Sequence, residues 1–353
     1  MLKFQERVVD EEYDLETRVP NLYLSIRNLL LEEVYSDVNE CSPLVMELSK
    51  KMRKSLDIYE MQKREPYTRV SGADAGSQIL PLAFRKYAVI SALVYSLPTG
   101  SRYFLKPEAF SFPHKVAGHR IQSIVNVRRE AKLYETACRF IEKNVEVELI
   151  LVDGPLAFSN WWSTAGKEED KQRLVYAVNR LLNLCMERGT SVAGIVKRPS
   201  ARYLLYEMGL QGETDLSDSF LMLHTLRSGE RTGVFSPRSA IRKAQRSAPF
   251  MDAIDSPVYS FYCRFSKEWS IPPLRIDLPA FVLGEVEEIA DFCYGSSYRK
   301  GIPMPIIRAD EEVRISKRFI SEVYHDILGK VIKSRWAITN LAPMWGEGAW
   351  MGA

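Results

Sequence analysis

Two apolar segments separated by a helical pattern constrain the fold of this 353-residue chain more than any other feature. The first, EVELILVDGPL, contains Asp153, and the second, SVAGIVKRP, contains Lys197. Each segment is apolar on both of its faces, which is typical of a strand in a sheet that is covered on both sides. A helix is predicted between them, over about residues 168–188. Strand, helix and strand at this spacing form a βαβ unit, so the sequence predicts an α/β core.

Further helices and strands flank this unit. Helices are predicted in the N-terminal region, over about residues 120–143, and over about residues 316–334. Strands are predicted in YTRVSGADAGSQ, RKYAVISALVYS and SRYFLKPEAF, and later in SPVYSFYCRF and PLRIDLPAF. We expect three parts: an N-terminal helical region at 1–65, a main domain with helical and basic-loop insertions at 66–335, and a tail at 336–353.

Composition excludes several classes of protein. The chain has 48 Lys and Arg against 45 Asp and Glu, a net charge of +3, and 46% of its residues are hydrophobic. These values exclude a histone-like polycation and an acidic disordered chain, although they permit a local basic groove. The five cysteines are scattered and never spaced as C-x-x-C, which argues against a disulfide framework or a structural zinc site. No apolar run reaches the roughly 18–20 residues of a membrane span, and the charged start is unlike a signal peptide, so we expect a cytoplasmic protein.

Two aspartates stand where α/β proteins bind their ligands. Asp74 in VSGADAGSQ and Asp153 in ILVDGPL are each expected at the carboxyl end of a central strand. Converging carboxylates repel each other unless a divalent cation lies between them, and hard oxygen ligands suit Mg²⁺ or Mn²⁺. Taken alone, each aspartate is more often a turn former or a helix N-cap. Their joint setting on buried strands favours a metal site.

Helical glutamates and a strand-end lysine are further candidates. The segment RREAKLYETA on the predicted 120–143 helix contains Glu135, which would supply a third carboxylate, and Glu130, which stays an open alternative. Most helical glutamates are only solvated surface residues. Lys197 would hold a phosphate or stabilise charge that develops in phosphoryl transfer, or it would simply reach solvent.

Two later segments extend the candidate site. In GIPMPIIRADEEVRIS, Asp310 follows the apolar pair Ile306 and Ile307, either as a strand-end carboxylate or as part of a charge cluster at a helix N-terminus. The segment LRSGERTGVFSPRSAIRKAQRSAPF suits a flexible strand that follows a phosphate backbone and contacts unstacked bases, although basic loops are more often merely solvated. Its candidate nucleic-acid-binding residues are Arg227, Arg231, Arg238, Arg242, Lys243 and Arg246.

Missing motifs exclude other chemistries. The sequence contains no G-x-x-x-x-G-K-[ST], no G-x-G-x-x-G and no H-E-x-x-H. Its four histidines show no ligand spacing, and no G-x-S-x-G elbow is present. A zinc hydrolase and a serine hydrolase are therefore not expected, and any ATP-driven work would belong to a partner.

The order of these features resembles the NurA family of DNA-end-processing nucleases. The matching segments run from about residue 70 to residue 320, and their order and spacing are more specific than any one of them. They are G-A-D-A-G-S around Asp74, R-x5-E ending at Glu135, I-L-V-D-G-P-L around Asp153, S-V-A-G-I-V-K to Lys197, the Asp218 region, F-Y-C-R-F with Tyr262, and G-I-P-M-P-I-I-R-A-D.

The resemblance implies a fold, an activity and partners. It implies a ribonuclease-H-like mixed sheet flanked by helices, and a manganese-dependent nuclease that acts on single strands and 5′ ends of DNA. It also implies a ring-like homodimer that works with the hexameric HerA translocase in recombinational repair. By position, Asp74, Glu135 and Asp153 would be metal ligands, and Lys197 and Tyr262 would be active-site neighbours.

The sequence departs from the family pattern at two places. Family members usually carry a His where this chain has Asp310, and oxygen can replace imidazole as a ligand for Mn²⁺ or Mg²⁺. Asp310 would then be a fourth ligand or would orient the attacking water; alternatively, the site is shifted or weakened. The family's first strand usually reads D-G-S or D-G-G-S, whereas Ala75 stands between Asp74 and Gly76 here.

Two other functions fit the same residues. A non-catalytic adaptor would keep the fold and the translocase-binding surface but lack efficient chemistry, as the missing His would allow. An RNA-directed nuclease would use the same carboxylates, because paired carboxylates do not select the sugar, whereas contacts to the 2′-OH do.

Overall fold

The computed structural model describes residues 19–82, 84–158 and 166–331. The chain forms two compact units, Met1–Met52 and Arg53–Ala353. The predicted tail at 336–353 lies outside the described residues, as do the first 18 residues. In the described part of the chain, no helix is both long enough and apolar enough to cross a bilayer.

The helix of the N-terminal region ends before the predicted boundary at residue 65. Helix α1 covers Val19–Ser55, and the chain then forms a strand, β1, at Ile58–Glu60. β1 pairs antiparallel with β8, Glu230–Thr232. Local sequence patterns do not reveal this strand because its hydrogen-bonding partner lies far along the chain.

Ten strands within the described residues form one mixed sheet, in the order β1-β8-β9-β10-β7-β6-β2-β3-β4, with β5 paired to β3. A separate antiparallel pair consists of β11, Ser297–Tyr298, and β12, Ile302–Pro303. The other strands of the large sheet are β2 (Val70–Pro81), β3 (Arg85–Leu97), β4 (Arg102–Phe104), β5 (Glu108–Pro113), β6 (Leu149–Asp153), β7 (Ser191–Val196), β9 (Val258–Arg264) and β10 (Leu274–Pro279).

The predicted βαβ unit is confirmed. β6 pairs parallel with β7, and α3, Glu168–Arg188, connects them. Acidic residues occupy the first turn of α3 and Arg188 its last turn, so the side-chain charges complement the helix dipole. Gly189 ends the helix in the left-handed conformation, with φ of 66°.

Helices cover both faces of the sheet, as the apolar strands predict. Ile150 and Val152 of β6 pack into the core under α3 and α2, Gly118–Lys143. Leu149 and Leu151 pack into the core on the opposite face. The remaining helices are α4 (Tyr203–Glu207), α5 (Asp218–Thr225), α6 (Pro237–Lys243), α7 (Pro249–Asp252), α8 (Val286–Gly295), α9 (Met304–Val313) and α10 (Lys317–Val331), with 3-10 turns at Ala280–Glu285 and Arg299–Gly301.

The centre of the sheet has the arrangement that the resemblance implies. β2, β3 and β4 are antiparallel neighbours, and β6 and β7 continue the sheet from β2 in parallel. The prediction of an α/β fold with a mixed sheet flanked by helices is therefore confirmed.

Candidate metal centre

Asp74 and Asp153 come together at one edge of the parallel part of the sheet. The last paired residues of β2 and β6 are Ala73 and Val152. Asp74 and Asp153 follow this pair directly, so both side chains leave the sheet at the same level. The prediction that Asp74 ends its strand is wrong, because β2 continues to Pro81. The neighbouring strand β6 does end at Asp153, as predicted.

Two glycines of β2 let α9 lie against the strand on either side of Asp74. A Cβ atom at Gly72 would lie 2.1 Å from the carbonyl oxygen of Pro305, and a Cβ atom at Gly76 would lie 2.6 Å from that of Val313. These distances leave no room for any side chain. Because Asp310 lies between the two contacts on α9, the helix brings it to Asp74.

Asp310 lies within a helix, at residues 304–313, so the strand-end alternative is wrong. The alternative of a helix N-terminus is wrong as well, because Asp310 lies in the C-terminal half of α9. Ile306, Ala309 and Val313 are buried at helical spacing on one side of α9. Pro305 lies in the first turn, where a helix tolerates proline. Helical packing therefore overrides the extended conformation that the prolines suggest.

The carboxylates of Asp74, Asp153 and Asp310 offer oxygen atoms that all lie within 4.8 Å of one another. Lys197 follows β7 and forms ion pairs with Asp153 and, at 3.7 Å, with Asp310. Burial and the charge of Asp153 raise the pKa of Asp74 to about 8, although Lys197 opposes this shift. Burial also raises the pKa of Asp153 against the effect of Lys197. Arg314 also forms an ion pair of 2.8 Å with Asp310. These two cations do not offset the effect of burial on Asp74 and Asp153, and the three hard oxygen donors fit a divalent cation.

Glu130, not Glu135, is the helical glutamate at this centre. Glu130 is buried and lines the same cavity as Asp153 and Asp310. Its Oε1 accepts a hydrogen bond of 2.7 Å from Arg129, while its buried Oε2 has no partner among the described residues. A Cβ atom at Gly154 would lie 3.2 Å from this Oε2. Burial raises the pKa of Glu130, although Arg129 opposes the shift.

The structure does not bring Glu135 to the cluster, contrary to the prediction from the resemblance. Its two carboxylate oxygens accept hydrogen bonds of 2.7 Å from Arg173 on α3. Five residues along a helix correspond to a rotation of about 140°, so Glu130 and Glu135 point in different directions. The matching of short motifs does not resolve this difference.

A cavity of about 1000 Å³ opens over the centre. Besides Asp153, Asp310 and Glu130, several basic side chains line it and add positive charge beside the carboxylates. Lys197 is one of them and was predicted from the sequence. The others were not assigned to a site: Arg129, Arg198, which follows Lys197 directly, Lys300 and Arg314.

Asp277 holds the loop that follows Asp153, a role that no sequence motif predicts. The side chain of Asp277 is fully buried and accepts hydrogen bonds of 3.1 Å from the backbone N–H groups of Leu156 and Ala157. It also forms an ion pair of 2.7 Å with Arg275. The one sequence sign of this role is a pair of opposite charges in the otherwise apolar strand segment LRIDLP.

Tyr262 lies in the core and not in the cavity lining. It is fully buried, and its hydroxyl donates a 3.1 Å hydrogen bond to Asp218. Asp218 also accepts hydrogen bonds from the backbone N–H groups of Leu204 and Leu205. The structure therefore gives Tyr262 and Asp218 a packing role, in place of the predicted position of Tyr262 beside the centre.

The basic segment is not a flexible strand, because it contains β8 and α6. Arg231 is buried, pairs with Glu287 and lies 4.4 Å from the centre of the Tyr59 ring. The exposed Arg227 belongs to the turn before β8. Other cations pair with acids or stack on an aromatic ring: Arg238 and Arg242 with Asp252, Lys243 with Glu207, and Arg246 with Tyr206. Those on α6 line a separate cavity of about 520 Å³.

Comparison with known proteins supports a shared fold. The structure is similar to the NurA nuclease from Sulfolobus solfataricus, with a TM-score of 0.64 and 19% identity over 88% of this chain and 98% of that chain. A NurA structure bound to dAMP and manganese gives 0.55 and 12%, covering 90% and 98% of the two chains. A NurA structure with manganese gives 0.53 and 11%, covering 85% and 98%. No curated protein sequence matches the chain.

The sequence itself matches the NurA domain over residues 47–315. This range is most of the chain and contains all the strands of the large sheet, the three clustered aspartates, Glu130 and Lys197. The chain therefore belongs to the NurA domain family.

Proposed function

We propose that this protein is a divalent-metal-dependent nuclease that hydrolyses phosphodiester bonds of DNA. The observation that carries the proposal is the group of three carboxylates whose oxygen atoms lie within 4.8 Å of one another. Two of them, Asp153 and Asp310, line a cavity that cations also line. Carboxylates beside basic residues are the combination that phosphoryl transfer requires, because charge develops on the phosphate oxygens. The proposed substrates are single strands and the 5′ ends of duplexes, and RNA on the same core is an alternative.

The cofactor in this proposal is Mn²⁺, or Mg²⁺ in its place. Asp74, Asp153 and Asp310 would hold the ion, and Glu130 would complete the ligand set in place of Glu135. Two related structures contain manganese, which supports this choice. The cation, when bound, would supply Lewis acidity for attack by water on the phosphodiester.

The other side chains of the centre would bind and orient the substrate. Lys197 forms ion pairs with two carboxylates of the centre, and its ammonium group would also contact a non-bridging oxygen of the scissile phosphate. Arg129, which is paired with Glu130 and lines the same cavity, would also contact this phosphate. Asp310 is half-buried at the cavity, and its alternative role is to orient the attacking water. The predicted role of the basic segment in guiding DNA stays a prediction.

The proposed cellular role follows from the family. We infer that the protein resects DNA ends during recombinational repair in the cytoplasm, as a homodimer that works with a HerA-type hexameric translocase. Measurement of the molar mass in solution would test the dimer. ATP-dependent stimulation of end resection by a HerA-type protein would test the partnership.

The direct test uses end-labelled single-stranded and duplex DNA with Mn²⁺, Mg²⁺ or EDTA. We expect cleavage that needs the metal and is lost in Asp74→Asn and Asp153→Asn, while DNA binding persists. Asp215→Asn, at an exposed aspartate, is the matched control and should cleave normally. Matched RNA that is cut at least as fast as DNA would favour the RNA-directed alternative.

A translocase adaptor without efficient chemistry is the second candidate, because Asp310 replaces the usual His of the family. This adaptor would bind the translocase but show no cleavage in any metal. In that case Asp310→His should restore cleavage.

A further inference from the structure

The lining of the cavity over the metal centre includes apolar side chains that hydrolysis of a phosphate does not need. Several of them belong to two segments, the loop between β9 and β10 and the residues around the start of α9. They are Ile271, Pro272, Ile302 and Ile307. The volume of about 1000 Å³ is at the upper end of the range of roughly 300–1,000 Å³ for sites that enclose whole small molecules. The cavity therefore offers room and apolar contacts for more than a phosphate group.

An exposed tryptophan lies in the loop between β9 and β10. Trp269 is 82% exposed, and both of its chain neighbours, Glu268 and Ser270, line the cavity. Isolated exposed apolar residues are common on protein surfaces. Unpaired bases stack, however, on exposed aromatic rings that accompany a positively charged groove. Lys300, two residues before Ile302, adds positive charge to the lining of this cavity.

We propose that Trp269 and these apolar side chains form a subsite for an unpaired nucleobase of the nucleotide next to the scissile phosphate. This subsite rests on the proposed nuclease function and adds a selection step to it. A base inside a duplex has its faces covered by its neighbours, whereas an unpaired base can present a face to the indole. The subsite would therefore favour single-stranded over paired DNA without reading sequence, since every base has a face that can stack.

Binding of a fluorescein-labelled single-stranded oligonucleotide tests the subsite. Fluorescence anisotropy is measured in the Asp153→Asn background, so that the strand is not cut. We expect Trp269→Ala to weaken binding roughly 5- to 150-fold, the range for loss of one stacked base, and Trp269→Phe to retain most of the affinity. Tyr176→Ala is the control, because Tyr176 is an exposed aromatic residue that lines a different cavity.

Abasic substitutions identify the contact. When single nucleotides around the cleaved bond are replaced by abasic sites, one position should weaken binding to the Trp269 protein by the same factor as Trp269→Ala. At that position, Trp269→Ala should cause no further loss. In the active enzyme, Trp269→Ala should raise KM for single strands and leave kcat unchanged.

Two results would overturn the subsite. One is unchanged affinity in Trp269→Ala, and the other is fully additive losses at every abasic position. In either case cleavage by the parent protein would leave the nuclease proposal intact. Absence of both binding and cleavage of single strands by the parent protein would instead refute both proposals.

Discussion

Exchange of Glu130 for Gln should weaken metal binding, whereas the same exchange at Glu135 should not. Glu130 is 7% exposed and has a buried oxygen without a partner among the described residues, beside Asp153. The side chain of Glu135 is 31% exposed, and both of its oxygens are engaged by Arg173. The two variants make the same chemical change five residues apart on one helix, so each controls for the other.

The expected magnitudes differ for metal affinity but not for stability. Loss of a group that only supports a metal ligand already lowers affinity by about 10- to 100-fold, so Glu130→Gln should cost at least about tenfold, or about 1.4 kcal/mol. Its free energy of unfolding should change by no more than about 1.5 kcal/mol, because Gln keeps an oxygen for Arg129 and removes a buried charge. Glu135→Gln should lower stability by about 0.2–1 kcal/mol, as for a partly exposed ion pair.

Isothermal titration with Mn²⁺ at neutral pH measures the affinities, and urea unfolding in EDTA measures the stabilities. Cleavage assays at several Mn²⁺ concentrations provide a second measure, since a weakened site should recover activity at high metal concentration. Loss of Mn²⁺ affinity in Glu135→Gln, with Glu130→Gln unaffected, would refute the assignment. That outcome would mean that the α2 helix is rotated or shifted relative to β6 when metal is bound.

Three further predictions follow from the same geometry. Gly76→Ala should reduce both the stability and the Mn²⁺ affinity, because the added Cβ would meet the Val313 carbonyl and displace Asp310. The control Gly118→Ala should change neither in urea unfolding and metal titration, because a Cβ atom there meets nothing within 4 Å. Because burial raises the pKa of Asp74 to about 8, the folded state holds a proton that the unfolded chain has already lost. Stability in EDTA should therefore fall between about pH 4 and pH 8, Mn²⁺ should stabilise the protein more as pH rises through that range, and Asp74→Asn should flatten both trends in urea unfolding at graded pH. Asp277→Asn should cost about 3–5 kcal/mol, as expected when one partner of a buried ion pair is removed, and a change below about 1 kcal/mol in chemical denaturation would contradict the anchoring role of Asp277.

The sequence predicted the parts of the fold that depend on local pattern. The strands β6 and β7 are apolar on both faces, and charges and Gly189 mark the ends of α3, so the βαβ unit could be read directly. The same reading identified Asp153 and Lys197, because a polar residue at the end of a buried strand stands out from its apolar surroundings. Identification of the family rested on the order of such short segments.

Local pattern misled where packing decided the conformation. Residues 304–313 look extended because of their prolines, yet they form a helix whose apolar side is buried. β1 could not be foreseen, because its partner β8 is distant in sequence. The basic segment suggested a flexible DNA-binding strand. Most of its cations, however, are paired within the fold with nearby acids or aromatic rings.

By itself, the sequence determined which chemical groups the protein has and on which central strands two of them lie, because the pattern of burial along a strand is local. Only the tertiary structure decided which carboxylates meet. The glycines at 72 and 76 appear in the sequence as small residues, and their role exists only because α9 crosses β2 there and delivers Asp310. The choice of Glu130 over Glu135 likewise depends on the rotation of α2 against β6, which side-chain packing across the whole core sets.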